Sequence, residues 1–176
     1  MKRLGLALAL CALPVMAAAQ TTRCIPQDQA AALVTFALPT LMTQLAERCR
    51  PELPPTAYIE ANAGALADRY RPEAAAAWPL ARRAIGQLFT QFLGQPMPSD
   101  TSSDLIRTLA EPALGGLLAK QVHREDCVTA NVAISAGAAL SGRDIGRLAA
   151  LAATIADRKG AGIAGILKVC KPGETS

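Results

Sequence analysis

The residues of this chain that could do chemistry are few: five cysteines, one histidine and 14 carboxylates. Cys11 lies in the apolar N-terminal stretch LALC. That leaves Cys24, Cys49, Cys127 and Cys170, an even number that predicts two disulfides with no thiol left over. No two of them are spaced as C-x-x-C, which argues against a thioredoxin-type redox site and against haem attachment. A zinc site would have to gather all four cysteines, or three of them with His123, from scattered positions. The sequence indicates no metal and no cofactor.

His123 sits in QVHRED among charged neighbours. Any Ser-His-Asp or Cys-His site would have to use it. No G-x-S-x-G accompanies it, so it reads as a solvated surface residue. Paired carboxylates could serve as acid and base in glycan cleavage, and three pairs are close in sequence: Glu47 with Glu52, Glu60 with Asp68, and Glu125 with Asp126. Each has a structural account too. Glu47 lies beside Arg48 and Arg50, and Asp126 stands where a helix cap would. Arg82-Arg83 and the RYR of Arg69 to Arg71 could form a basic patch or simply a solvated helix face. P-loop, G-x-G-x-x-G, EF-hand and H-E-x-x-H motifs are missing.

The compartment follows from the N-terminus. Lys2 and Arg3 precede an apolar run from Leu4 to Met16, and Ala17-Ala18-Ala19 supplies an A-x-A site before Gln20. This is the pattern of a secretory signal peptide cleaved between Ala19 and Gln20. Leu10, not a small residue, precedes Cys11, so acylation there is not expected. Export of the Gram-negative type would place the remaining chain in the periplasm or outside the cell, where disulfides persist.

Composition narrows the partners. The full chain carries 18 basic and 14 acidic residues. Removing Lys2 and Arg3 brings the net charge to about +2. Only 3% of residues are aromatic, which leaves little surface for stacking bases. Nucleic acid is therefore disfavoured. Beyond Gln20 no uninterrupted apolar run reaches the ~18 residues of a membrane span. A protein partner or an apolar ligand remains open.

The elements that must position these residues read as helix after helix, with little period-2 alternation and no hairpin dipeptide. Gln27 to Arg48 carries Val34, Leu38, Leu41 and Leu45 on one face, with Pro39 inside, where it must kink or split the helix. Thr56 to Tyr70 follows, with Ile59, Leu66 and Tyr70 inward, and Arg71-Pro72 breaks it. Glu73 to Leu93 carries Ala81, Ile85, Leu88, Phe89 and Phe92, with Trp78-Pro79 as a kink and Gly94 as a stop. A short helix capped by Asp104 ends near Leu109, and another restarts at Glu111-Pro112 and runs to Gln121. Asp126 can cap a helix bearing Val128, Val132 and Ala136. Ser141 and Asp144 resemble a capping box before Ile145, Leu148, Ala152 and Ile155, and Gly160 ends that helix. The last two helices would form an αα-hairpin. The expected fold is a single all-α domain over 20–176, a compact bundle of six to seven helices with Pro kinks, braced by two disulfides and ending in a frayed tail at 171–176.

Four cysteines allow three connectivities. A bridge from Cys127 to Cys170 would close the hairpin and contribute on the order of 3–4 kcal/mol. A straight helix over Gln27 to Arg48 spans about 33 Å, whereas bridged Cα atoms lie within roughly 7 Å. Cys24–Cys49 thus requires a sharp fold-back at Pro39. A continuous helix instead requires both cysteines to reach the last third of the chain. Pairing of sequence neighbours during export favours Cys24–Cys49 with Cys127–Cys170. The functional expectation is an exported, soluble, non-catalytic protein with a structural, binding or accessory role. The alternatives are a carrier or sensor of a lipid or fatty acid, and a glycan-active enzyme using paired carboxylates.

Overall fold

The computed structural model describes residues 24–98, 102–158 and 169–171. The cleavage site at Ala19 and Gln20, the Gly160 stop and residues 172–176 lie outside them. Five α-helices follow one another: α1 Gln27–Cys49, α2 Tyr58–Leu93, α3 Ser103–Gln121, α4 Cys127–Gly137 and α5 Gly142–Arg158, with a 3₁₀ turn at Arg124–Asp126 before α4. The described residues contain no strand. A single parallel bridge joins Ile25 to Val169.

α1 is the axis on which α2, α3 and α5 pack. Its buried positions include Leu33, Phe36, Ala37, Leu38, Met42, Leu45 and Cys49, which point in nearly every direction around the helix. A helix apolar on all sides is a core helix. It is also the one described helix long and apolar enough to cross a membrane, yet 67% of its most apolar stretch is buried by its neighbours. α2 runs antiparallel to it. Ile59 and Ala63 pack with Leu45 and Cys49, Leu66 and Tyr70 with Leu38 and Met42, and Ala81 and Ala84 with Leu33 and Phe36. α3 runs parallel to α1, from Ala110 and Leu114 beside the Leu33–Phe36 cluster to Val122 beside Cys49.

Fewer helices form than the prolines suggest. Pro39, Pro72, Pro79 and Pro112 all lie inside continuous helices. The two segments expected on either side of Arg71-Pro72 are one helix of 36 residues, and those flanking Pro112 are one helix of 19. A helical proline removes one hydrogen bond and crowds the preceding turn. Here the residues on both sides of Pro72, Tyr70 and Ala74, are buried. Packing against α1 therefore holds both halves of α2 in line.

α4 and α5 do not form the expected hairpin. α4 starts beside Cys49, and Ile134 on its next turns packs with Leu38 and Tyr70. α5 begins at that level, with Gly142 facing Leu38 and Tyr70, and continues to Gly146 against Ala31 and Thr35. Ala150 then joins the cluster of Ala30 and Leu33. The two helices therefore follow each other antiparallel to α1, α4 lying mainly against α2 and α5 against α1, as a single return arm.

That course sets the disulfides. The structure pairs Cys24 with Cys170 and Cys49 with Cys127, at Cα separations of 4.8 and 5.5 Å. The pairing of Cys24 with Cys49 and Cys127 with Cys170 is corrected accordingly. A continuous 23-residue α1 keeps its ends about 34 Å apart. The return arm starts at one end of α1 and finishes at the other, so each end is clamped. The Cys170 N–H also donates to the Ile25 carbonyl at 2.9 Å.

Large residues mark the wrong face of the arm. Val128 and Val132 on α4, and Leu148, Leu151 and Ile155 on α5, are exposed. The inward face of α5 consists of Gly142, Gly146, Ala150 and Thr154, spaced four apart. A Cβ on Gly146 would land on Thr35 Oγ1 and the Ala31 carbonyl oxygen. Only small residues allow this close approach to α1, so the bulky ones turn outward.

Four helix ends are capped by side chains from other helices. Glu73 of α2 accepts the Gly142 and Arg143 backbone N–H groups at 3.0 and 2.9 Å, satisfying the start of α5. Asn131 of α4 accepts the Ile59 N–H at 2.9 Å. Arg48 of α1 donates to the Val122 carbonyl at 2.7 Å, and Arg69 donates to the carbonyls of Ala138, Ala139 and Leu140. The caps expected from sequence are rearranged. Ser102, not Asp104, caps α3, accepting the Leu105 N–H. Asp126 caps nothing with its side chain because the 3₁₀ turn already supplies helical backbone. Ser141 accepts the Asp144 N–H at 3.1 Å and donates its hydroxyl to the Asp144 carboxylate at 2.7 Å. Gly94 does end α2, at φ +68°.

Candidate functional site

The residues with potential chemistry are mostly engaged structurally. All four cysteines are bonded. His123 lies 3.6 Å from Asp126 on open surface. Three of the carboxylates considered in pairs stand beside arginines: Glu60 lies 3.5 Å from Arg50, Asp68 is 3.0 Å from Arg71, and Glu52 is 3.9 Å from Arg124. Glu47 and Glu125 stand on exposed helix or turn surface. Among the described residues no three His, Cys, Asp or Glu side chains are placed to hold a metal.

The arginine clusters divide. Arg69 is occupied at the α4 carbonyls and lies 5.8 Å from the Tyr70 ring centre. With Arg71 held by Asp68, the RYR triplet is a set of structural contacts and not a basic patch. Arg82 and Arg83 border an open cleft of about 510 Å³ with Trp78, Met97 and Pro98. The Trp78 indole N–H donates to Ser103 Oγ at 3.1 Å, and its ring lies 5.0 Å from Phe36.

Two surface features are left with no structural task of their own. The first is the outward face of the return arm. Val128, Val132, Leu148, Leu151 and Ile155 are each 48–62% exposed. A single exposed aliphatic residue is ordinary, whereas rows at helical spacing mark interaction surfaces. Leu105 and Leu109 extend the same character along α3. The spacing of these residues was visible in the sequence; what the sequence could not reveal is that the opposite, small face is the buried one.

The second is a cleft of about 530 Å³ between α1, α2 and α5. Its floor is α1 from Gln27 to Thr35, one wall is α2 from Glu73 to Leu80, and the other is α5 from Arg143 to Leu151. Its origin is local. Gly146 draws α5 onto α1, and Glu73 pins the start of α5 to α2. The small side chains of Ala31, Ala32, Ala76, Ala77 and Ala150 leave the wedge beyond that pin unfilled. Thr35 Oγ1 lies buried within it, 2.9 Å from the Ala31 carbonyl and 3.1 Å from that of Gly142. Sequence reading missed this cleft because its members lie on three helices and no motif joins them.

Comparison of the chain with protein-family models, with curated proteins and with solved structures finds no match. The two disulfides indicate an oxidising, exported compartment. The apolar N-terminal stretch is compatible with a signal sequence.

Proposed function

We propose that this chain is a periplasmic all-α binding protein, a single domain over 20–176 that acts by contact with a protein partner and not by catalysis. The observation that carries this reading is the outward face of α4 and α5. Leaving five large aliphatic side chains 48–62% exposed, on an arm clamped at both ends, is costly in water unless something covers them. A rigid helix face with alternating Val, Leu and Ile anchors suits a helical or apolar segment of another protein.

The test is photo-crosslinking in the exporting cell, with a photoreactive residue at Val132, at Leu151 or, as a control, at the exposed Asp68. The reading expects a discrete protein adduct from Val132 and Leu151 and none from Asp68. Equal labelling at all three positions, or none from the arm, overturns it. Val132→Ser and Leu151→Ser should leave Tm unchanged while abolishing the adduct, because neither side chain supports the core.

A further inference from the structure

We infer that the cleft on the side of α2 turned away from α1 binds a small organic anion. Its carboxylate or phosphate head is held by Arg82 and Arg83, and its apolar body lies along Trp78, Met97 and Pro98. The inference does not rest on the partner-binding face of the arm. It rests first on charge of one sign. Arg82 and Arg83 are the only charged side chains among the described residues that line this cleft. Neither is ion-paired within those residues. They are also the only charged residues in sequence between Ala74 and Pro98, so α2 supplies no carboxylate to neutralise them. The cleft between α1, α2 and α5 differs, because Glu73 and Asp28 accompany its arginines.

The helix brings the parts together. Ala81 and Ala84 turn one side of α2 into the core. Trp78, Arg82, Arg83 and Gly86 fall within about 140° of arc on the other side, at 3.6 residues per turn. Gly86 lies one turn beyond both arginines, and a Cβ placed on it would meet nothing within 4 Å. An anion can therefore sit between the two guanidinium groups without displacing a side chain. The arginine fork matches the paired oxygens of a carboxylate or phosphate. Across the cleft, Met97 and Pro98 supply an apolar wall after the Gly94 stop, and Ser103 begins α3. The Trp78 indole N–H donates to Ser103 Oγ at 3.1 Å, which ties that wall to α2. A volume of about 510 Å³ is within the range of small-molecule sites. An inorganic anion would leave the apolar wall unused, and an uncharged ligand would leave both arginines unpaired.

The test is titration of the disulfide-intact protein with phenyl phosphate, phenylacetate, benzyl alcohol and inorganic phosphate. Trp78 is the only tryptophan in the chain, so its fluorescence reports the cleft directly. At least one of the two aryl anions should bind saturably, and the tighter of them identifies the head group. Benzyl alcohol and inorganic phosphate should each bind about tenfold or more weakly, the size expected from losing one charge-assisted contact or the apolar one. Arg82→Gln and Arg83→Gln should each weaken the aryl anion about tenfold and leave benzyl alcohol unaffected. Arg143→Gln, in the other cleft, should change nothing. The three variants should keep the parental Tm, because all three arginines are exposed. Amide shifts on the unmodified protein should centre on Gly86 and Met97, which keeps the inference testable should a variant misfold. No saturable binding of either aryl anion, equal affinity for the alcohol or for inorganic phosphate, or shifts elsewhere would overturn it.

Discussion

Gly115 and Gly116 are neighbours in the middle of α3, and replacing each by alanine should shift stability in opposite directions. A Cβ on Gly115 would stand 2.7 Å from Thr40 Cβ and Cγ2 and 3.0 Å from the Leu41 backbone nitrogen. A Cβ on Gly116 meets nothing within 4 Å. Both substitutions gain about 1 kcal/mol of helix propensity. Gly116→Ala keeps that gain. Gly115→Ala must also push α3 away from α1, whose backbone at Leu41 is fixed by packing on every side. Overpacking of this kind costs about 1–3 kcal/mol, occasionally more. It would also stretch the bond from Thr40 Oγ1 to Glu111, already 3.3 Å. The net expectation is a loss of up to about 2 kcal/mol for Gly115→Ala, against a gain of about 1 kcal/mol for Gly116→Ala. At roughly 2–4 °C per kcal/mol for a chain of this size, the two variants should melt about 2–12 °C apart, Gly115→Ala the lower. Thermal unfolding followed by circular dichroism, with the disulfides intact, measures this directly. If both variants are stabilised equally, Gly115 does not face α1 and the placement of α3 is wrong.

Two further perturbations probe other parts of the account. Replacing Cys24 and Cys170 together by serine opens a loop of sequence separation 146 and should cost about 4–5 kcal/mol by loop entropy, read as a lower guanidinium midpoint; a change under about 1 kcal/mol would mean that the bridge constrains nothing. Burial raises the Tyr70 hydroxyl above its ordinary value of 10.0, with Arg69 opposing and Tyr58 and Glu73 reinforcing the rise. The native state thus holds that proton more tightly, so the contribution is complete below about pH 10 and is lost as the pH rises above it. Urea midpoints at about pH 8 and pH 11 should fall further for the parent than for Tyr70→Phe, and parallel falls would contradict the assignment.

The helical character of the chain was legible because period-2 alternation is scarce and turn signals are clear, as at Gly94. The core of α2 was legible too: Ile59, Leu66 and Tyr70 are all buried. Helix number was not. A proline reports a local penalty, whereas the continuity of α2 through Pro72 comes from residues before and after it packing on the same partner. Which faces of α4 and α5 are buried was not legible for a related reason. Periodicity finds large apolar residues, but Gly146 makes its contact by having no side chain at all. The disulfides illustrate how a long-range fact hides in a local one. Once α1 is continuous, its length forbids Cys24–Cys49, and the remaining choice depends on the direction of the return arm. The cleft lay beyond sequence reasoning altogether, since Asp28, Glu73 and Arg143 meet only when three helices are assembled.

The central claim is that α1 is an unbroken axis, spanned by a return arm that is fastened at both ends. The outward face of the arm, proposed above to meet a partner, and the cleft beneath it both depend on that arrangement. Peptide mapping of the oxidised protein under non-reducing conditions tests it most directly. The account predicts two linked pairs, Cys24 with Cys170 and Cys49 with Cys127. A peptide linking Cys24 to Cys49 would contradict it, because those residues can meet only if α1 folds back on itself.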